Sequence, residues 1–192
     1  MVWFIPYLAM IFSVELINNI LFYSYGIANS WVYNIFHLLQ ICFFCFVFIN
    51  LAQTKKHKQF LLFTNFIYVL IYCTYLTVYA HWLKVKPDLM VAGFIEMVTF
   101  SCLFFYQCLR DDYDVWNQKY KTGLWITAGI LIFYSGISIC YSLIPYISKY
   151  DLKLQGKRLY NIIPQYLCII LYGCLSISFI LWKKPAKTSL EQ

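Results

Sequence analysis

Polar residues of the types that bind ligands or move protons lie inside an apolar segment near the start of the chain. The segment reads VELINNILF, and its residues Glu15, Asn18 and Asn19 are spaced i, i+3 and i+4. On a helix this spacing places all three side chains on one face. Because carboxyl and amide groups are costly in lipid, such residues usually face the interior of a helical membrane protein. We therefore expect this face to contact other helices.

Three later apolar segments carry similar polar residues in the same half of the membrane. They are Asn34, His37 and Gln40 in the second segment, Glu96 in the fourth, and Asn161 and Gln165 in the sixth. These segments begin on the side of the membrane where the first segment ends, so their first turns lie at similar depths. The pattern predicts a polar ligand-binding pocket that opens away from the N-terminal side. Its lining would comprise Glu15, Asn18, Asn19, Asn34, His37, Gln40, Glu96, Asn161 and Gln165.

This predicted pocket is compatible with three functions. It would bind a lipid or a small ligand with apolar and polar parts, and a membrane or cytoplasmic protein partner would then receive the signal. Alternatively, the polar residues only hold helices together in an accessory subunit of a membrane complex, because interhelical hydrogen bonds are common in membranes. The third interpretation is an enzyme acting on a lipid or isoprenoid, with His37 and either Glu15 or Glu96 as acid and base.

We favour binding over catalysis because no nucleophile motif or phosphate loop accompanies these residues. We accordingly assign no catalytic residue and expect neither a metal nor a cofactor. The chain has eight cysteines, all within or beside apolar segments. Cys42 and Cys45 form a C-x-x-C pair, but no second Cys or His pair has the spacing of metal ligands. The cysteines are therefore interpreted as small packing residues.

The composition predicts a membrane protein. Of the 192 residues, 62% are hydrophobic and only 12% are charged, whereas soluble domains contain roughly 25% charged residues. A soluble domain of this length could not bury so much apolar surface. Six apolar segments have about the 20 residues that a spanning helix requires; they are 2–24, 31–53, 59–81, 89–109, 123–147 and 160–182. We predict an all-α polytopic transmembrane helical bundle with six spans, one domain over residues 1–183 and a polar cytoplasmic tail over 184–192.

The distribution of positive charge predicts how the chain lies in the membrane. The net charge is +7, and the basic residues form short clusters beside the apolar segments, as in QTKKHK. Such clusters are typical of membrane flanks, so we expect contact with lipid headgroups and no nucleic-acid partner. The N-terminal side collects more Lys and Arg than the other side. Because positive charge favours the cytoplasm, we expect a bacterial inner-membrane protein with both termini cytoplasmic and the pocket facing the periplasm.

Four segments together resemble one protein family. They are VELINN, NSWVYNIFHLLQICFF, LWITAGILIFYSGIS and LYNIIPQYLCIILY. They resemble a family of small uncharacterised polytopic inner-membrane proteins of Bacteroidota-type bacteria, and the matching positions are Glu15, Tyr33, Asn34, Trp125, Gly129, Tyr134 and Asn161. Members usually have seven spans, so the resemblance implies that this chain is one N-terminal span short. Pro164 departs from the family's closing motif. The resemblance implies a helical membrane fold and supplies no activity.

Overall fold

The protein is built from helices. A computed structural model describes residues 4–25, 30–80, 87–110, 118–154 and 157–183. Its helices are α1 (Phe4–Tyr25), α2 (Ser30–Leu51), α3 (Lys55–Tyr75), α4 (Pro87–Arg110), α5 (Gln118–Ser142), α6 (Ile144–Lys149) and α7 (Leu159–Lys183). A π-helical turn, Leu76–Ala80, continues α3, and a two-residue antiparallel ladder joins β1 (Lys153–Leu154) to β2 (Lys157–Arg158). The predicted all-α class is confirmed, while the predicted tail, 184–192, lies outside the described residues.

Six helices are long and apolar enough to cross a membrane, and the chain is an integral multi-pass membrane protein. The six candidate spans are Phe4–Leu21, Ser30–Leu51, Lys55–Val78, Pro87–Arg110, Tyr120–Ser142 and Ile162–Trp182. The predicted fifth segment, 123–147, is divided in the structure because α5 ends at Ser142 and α6 begins at Ile144. Pro145 lies at the start of α6, where its missing backbone N–H is tolerated but would interrupt a continuous helix.

The chain divides into two compact units, Met1–Glu96 and Met97–Gln192. In the first unit, α2 and α3 are antiparallel neighbours. Their side chains meet in pairs at a nearly constant register, namely Asn34 with Tyr72, His37 with Tyr68, Cys42 with Asn65, and Cys45 with the Leu61 backbone. The same face of α2 buries Ile41, Phe44 and Phe48. Helix α1 packs against α2 and stacks Tyr7 on Phe43 at 4.2 Å between ring centroids.

In the second unit, α5 and α7 pack closely along their lengths. Two glycines seven residues apart on α5 allow this approach. A Cβ atom at Gly129 would lie 2.8 Å from Cys174 Cβ, and one at Gly136 would lie 2.7 Å from two methyl carbons of Leu167. Ser178 adds a hydrogen bond of 3.2 Å to the Thr122 carbonyl. Small residues therefore set the spacing of this pair, as is common for helices in membranes.

Candidate functional site

A buried hydrogen-bonded network joins α2, α3 and α4 within the first unit. His37 on α2 is 4% exposed, and its Nε2 atom lies 2.8 Å from the Tyr68 hydroxyl on α3. That hydroxyl donates in turn to the backbone carbonyl of Leu89, in the first turn of α4, at 3.2 Å. A tyrosine hydroxyl has one proton, so when it donates to Leu89 the proton of the other bond comes from His37 Nε2. The two bonds then run in one direction and connect three helices.

Gly93 makes this network possible because it brings α4 close to both rings. A Cβ atom at this position would lie 2.5 Å from Tyr68 Oη and 2.9 Å from His37 Nε2. Gly93 follows Leu89 by four residues, so the glycine and the accepting carbonyl are on the same face of α4. Phe94 covers His37 on this side, with its ring edge-on at 5.2 Å between centroids. The position therefore requires glycine for close approach.

A second interhelical bond lies one turn away. Tyr72 donates to Asn34 Oδ1 at 3.2 Å, and both residues are almost completely inaccessible. The Tyr72 ring also lies 5.4 Å from the His37 ring between centroids. Asn34 and His37, both predicted from the sequence, thus belong to one buried cluster whose polar groups have partners. Such bonds stabilise helix packing in membranes by about 0.6 kcal/mol each on average.

Glu96 differs from these residues because its carboxyl group is buried and unsatisfied. It lies one turn beyond Gly93 on α4, and neither carboxyl oxygen has a hydrogen-bond partner. The carboxyl interacts electrostatically with Tyr68 and Cys42, and the Thr64 hydroxyl is its nearest hydrogen-bonding group, although no bond of good geometry joins them. The Thr64 hydroxyl, however, donates to the backbone carbonyls of Phe60 and Leu61. Glu96 therefore lies beside the His37 network but makes no hydrogen bond to it.

Asn65 adds a further unsatisfied acceptor beside this carboxyl. Its Nδ2 donates weakly to Cys42 Sγ at 3.9 Å, while its Oδ1 is buried and has no hydrogen-bond partner. Since Cys42 also interacts electrostatically with Glu96, the two acceptor groups flank the same thiol. We call Glu96, Asn65, Thr64 and Cys42 the Glu96 cluster. It contains three buried oxygen atoms that can accept hydrogen bonds and receive none.

The structure divides the polar residues that the sequence predicted on α1. Asn18 is 3% exposed and neither atom of its amide group has a hydrogen-bond partner, but Glu15 and Asn19 are exposed. Glu15 and Asn18 both interact with Tyr33 of α2, and the expectation that all three residues face other helices stays a prediction. Each residue turns 100° around a helix, and the side of α1 that meets α2 passes through Phe4, Tyr7 and Asn18. Relative to Asn18, Glu15 lies about 60° and Asn19 about 100° around the helix.

Three predicted residues remain, one on α2 and two on α7. Gln40 points to α1 and donates to the Tyr7 hydroxyl at 3.2 Å. Gln165 is exposed on α7 in the second unit. Asn161 lies in the first turn of the same helix, and its side chain is outside the described part of the structure. Within the first unit, the structure thus brings together Asn34, His37 and Glu96.

Four residues of the buried site were not predicted from the sequence. Tyr68, Tyr72 and Gly93 belong to the hydrogen-bonded network around His37, and Asn65 belongs to the Glu96 cluster. Tyr68 and Tyr72 are i, i+4 on α3, a spacing that predicts one shared face. The chain contains 18 tyrosines, so this pair alone did not stand out. The available signal was the alignment of Asn65 with the two tyrosines along one side of a mostly apolar helix.

A separate apolar groove lies between α1 and α2. Its volume is about 350 Å³, and it is lined by Pro6, Tyr7, Met10, Leu39, Phe43 and Phe46. Nearly all of its surface is hydrocarbon, so its chemistry fits a lipid acyl chain and not a polar group. None of the residues predicted from the sequence lines it.

Known proteins supply no identity for this arrangement. Within the described ranges, no group of three or more His, Cys, Asp or Glu residues could hold a metal ion. Comparison of the chain with protein-family models, with curated proteins and with solved structures finds no match. What the protein does must therefore be inferred from the chemistry of the site.

Proposed function

We propose that the protein binds a small ligand inside the membrane through the Glu96 cluster. The ligand would carry a hydrogen-bond-donating group, such as an ammonium or a hydroxyl, on an otherwise apolar body. One observation carries the proposal: Glu96 and Asn65 hold three buried acceptor oxygens without a donor. An unsatisfied buried polar group costs about 1–3 kcal/mol. A ligand that donates to these atoms would remove that cost on binding.

Protonation of the carboxyl does not by itself satisfy the cluster. A protonated Glu96 gains one O–H donor, which can serve at most one of the neighbouring acceptors. Thr64 has a single hydroxyl proton, which is shared with the α3 backbone and can serve at most one carboxyl oxygen. A primary ammonium offers three donors and a positive charge, so it would complement one carboxylate and one amide oxygen together. This makes an amine-bearing amphiphile the favoured ligand class.

The neighbouring network supports binding because it holds the three helices in place beforehand. His37, Tyr68 and Leu89 fix α2, α3 and α4 beside Glu96. A site whose walls are already ordered loses less conformational entropy when a ligand binds. The hydrogen bonds of His37, Tyr68 and Leu89 therefore hold the helices in place, and the oxygen atoms of Glu96 and Asn65 can accept hydrogen bonds from the ligand.

Native mass spectrometry of the protein extracted gently from its own membrane tests this proposal. We expect wild-type protein to retain a discrete small molecule and Glu96→Gln to lose it. Glu15→Gln is the matched control because it makes the same change at an exposed carboxyl, and it should retain the molecule. Wild-type protein without any bound small molecule, or equal retention in both variants, would contradict binding at Glu96.

An accessory or structural subunit is the second candidate, and the completed hydrogen bonds favour it. The bonds from His37 to Tyr68 and from Tyr72 to Asn34 already hold helices together. In that case Asn34→Leu would lower the thermal stability, and no variant would change the retained small molecules. Catalysis is less favoured, because His37 Nε2 is engaged by Tyr68 and is not presented to a substrate.

The proposal includes a location and a family. We place the protein in a bacterial inner membrane with cytoplasmic termini, where a ligand-induced change would pass to a membrane or cytoplasmic protein partner. The bias of Lys and Arg toward the N-terminal side supports this orientation. Membership of the small Bacteroidota-type family that the chain resembles is part of the same proposal. The sequence positions that carry the resemblance, among them Asn34 and Gly129, support it.

A further inference from the structure

The apolar groove and the Glu96 cluster both border Cys42 of α2. Cys42 Sγ lies 3.9 Å from Asn65 Nδ2, and the thiol interacts electrostatically with Glu96. Along α2, Cys42 follows Leu39 by three residues and precedes Phe46 by four, and residues at these spacings are neighbours on a helix surface. Leu39 and Phe46 line the groove. The groove and the unsatisfied oxygen atoms therefore lie on either side of one residue of the first unit.

The surface that joins the groove to the Glu96 cluster is accessible to a lipid molecule. Cys42, Leu39 and Phe46 are all exposed, and cysteine is the smallest of these side chains. Because Cβ atoms at these spacings are about 5–6 Å apart, an alkyl chain that begins at Asn65 reaches the edge of the groove within roughly 10 Å. One molecule can therefore pass from the polar cluster over Cys42 into the groove.

The groove has the size and the chemistry for an alkyl chain. Its volume is about 350 Å³, whereas a cavity of roughly 150 Å³ already holds a benzene molecule. The Tyr7 hydroxyl, which borders the groove, accepts a hydrogen bond from Gln40. The groove thus offers hydrocarbon contacts to a chain and little hydrogen bonding to a polar group.

We infer that the ligand of the Glu96 cluster is a long-chain primary amine whose alkyl chain occupies the groove between α1 and α2. This inference rests on the proposed function, because it assigns the ammonium group to Glu96 and Asn65. The ammonium would donate to the buried oxygen atoms of these two residues. The chain would cross Cys42 and pack against Leu39 and Phe46. A short amine fills only the polar cluster, and a hydrocarbon without an amine fills only the groove.

Titration of the full-length protein with hexadecylamine in a non-ionic detergent, followed by native mass spectrometry, tests the inference. We expect wild-type protein to bind hexadecylamine. Leu39→Trp enlarges a side chain at the exposed edge of the groove and should weaken this binding about tenfold, because about ten carbon atoms of the chain lose their packing contacts.

Leu62→Trp is the matched control for Leu39→Trp. It makes the same change at an exposed leucine of α3, away from the residues that line the groove, and it should bind hexadecylamine as wild type does. Butylamine is too short to reach the groove, so it should bind equally to wild type and Leu39→Trp.

The outcomes distinguish this inference from the proposed function. Equal binding of hexadecylamine to wild type and Leu39→Trp, with loss in Glu96→Gln, overturns the inference and leaves ligand binding at Glu96 intact. Wild-type protein that binds no hexadecylamine, or equal binding to wild type and Glu96→Gln, overturns both. Weaker binding in Leu62→Trp as well as Leu39→Trp overturns the inference, because the effect then does not depend on the groove. The thermal unfolding midpoint of each variant, measured in the same detergent, verifies that the chain is folded, and Leu39→Phe provides a milder change at the same position.

Discussion

Replacing Gly93 with alanine should separate α4 from the His37 network. The added Cβ would lie 2.5 Å from Tyr68 Oη, 2.7 Å from Tyr68 Cζ and 2.9 Å from His37 Nε2. Non-bonded carbon atoms are most favourable about 3.5–4.0 Å apart, so the rings or α4 must move by several tenths of an ångström. Both rings are buried and hydrogen-bonded, which leaves them little freedom to move.

The expected loss of stability for Gly93→Ala is about 2 kcal/mol. Overpacking of a close contact costs about 1–3 kcal/mol. Weakening the bonds from Tyr68 to His37 and Leu89 adds about 0.6 kcal/mol for each bond. Alanine favours a helix over glycine by about 1 kcal/mol, which offsets part of this loss. Equilibrium unfolding in mixed micelles, followed by helical circular dichroism, measures the difference in the free energy of unfolding.

Gly173→Ala is the matched control because a Cβ at Gly173 would meet nothing within 4 Å. It should be neutral or more stable than wild type by up to about 1 kcal/mol. Tyr68→Phe provides a second comparison, since it removes the oxygen atom that the new methyl group would meet first. Combined with Gly93→Ala, it should destabilise less than the two single effects added together. Equal stability of Gly93→Ala and Gly173→Ala would refute the close-approach argument.

Three further predictions use the same unfolding measurement. Tyr72→Phe removes a buried partner of Asn34 and should lower stability by about 1–2 kcal/mol; unchanged stability would show that the bond is not formed. Gly129→Val should destabilise by about 1–3 kcal/mol, because its Cβ would meet Cys174 at 2.8 Å, and wild-type stability would contradict the packing of α5 on α7. Glu96→Met removes two unsatisfied acceptors and should raise stability by about 1–3 kcal/mol while abolishing ligand retention; a loss of stability would indicate that Glu96 has a structural partner.

The fold follows from the sequence because the bilayer fixes the length and character of each span. Runs of about 20 apolar residues can cross the membrane only as helices or in closed barrels, and the six predicted segments correspond to the six candidate spans. The break between α5 and α6 was missed because residues 143–147 remain apolar on average. Pro145 marks the division because it lacks a backbone N–H group. Hydropathy depends on side-chain polarity and does not detect this loss.

The site is less predictable because helical periodicity fixes which residues share a face but not where that face points. Glu15 and Asn19 were assigned inward together with Asn18, yet of the three only Asn18 is buried on α1. Asn34, His37 and Glu96 were identified by their polarity. Their partners were not, since the meeting of Tyr68 with His37 depends on the register between α2 and α3. The need for glycine at position 93 can be recognised only when the positions of Tyr68 and His37 are known.

The buried polar residues of the first unit are of two kinds, those that make hydrogen bonds and those that do not. The sequence alone does not distinguish them. Asn34, His37, Tyr68 and Tyr72 make bonds between helices, so the fold itself accounts for them. Glu96 and Asn18 are buried without a hydrogen bond of good geometry, although the hydroxyls of Thr64 and Tyr33 lie near them. A leucine or methionine at either position would be more favourable for a structure with no further role. Unsatisfied groups at membrane depth therefore indicate where a ligand or another chain acts, and Glu96, which lies beside an ordered frame, is the position where binding a ligand would recover the most.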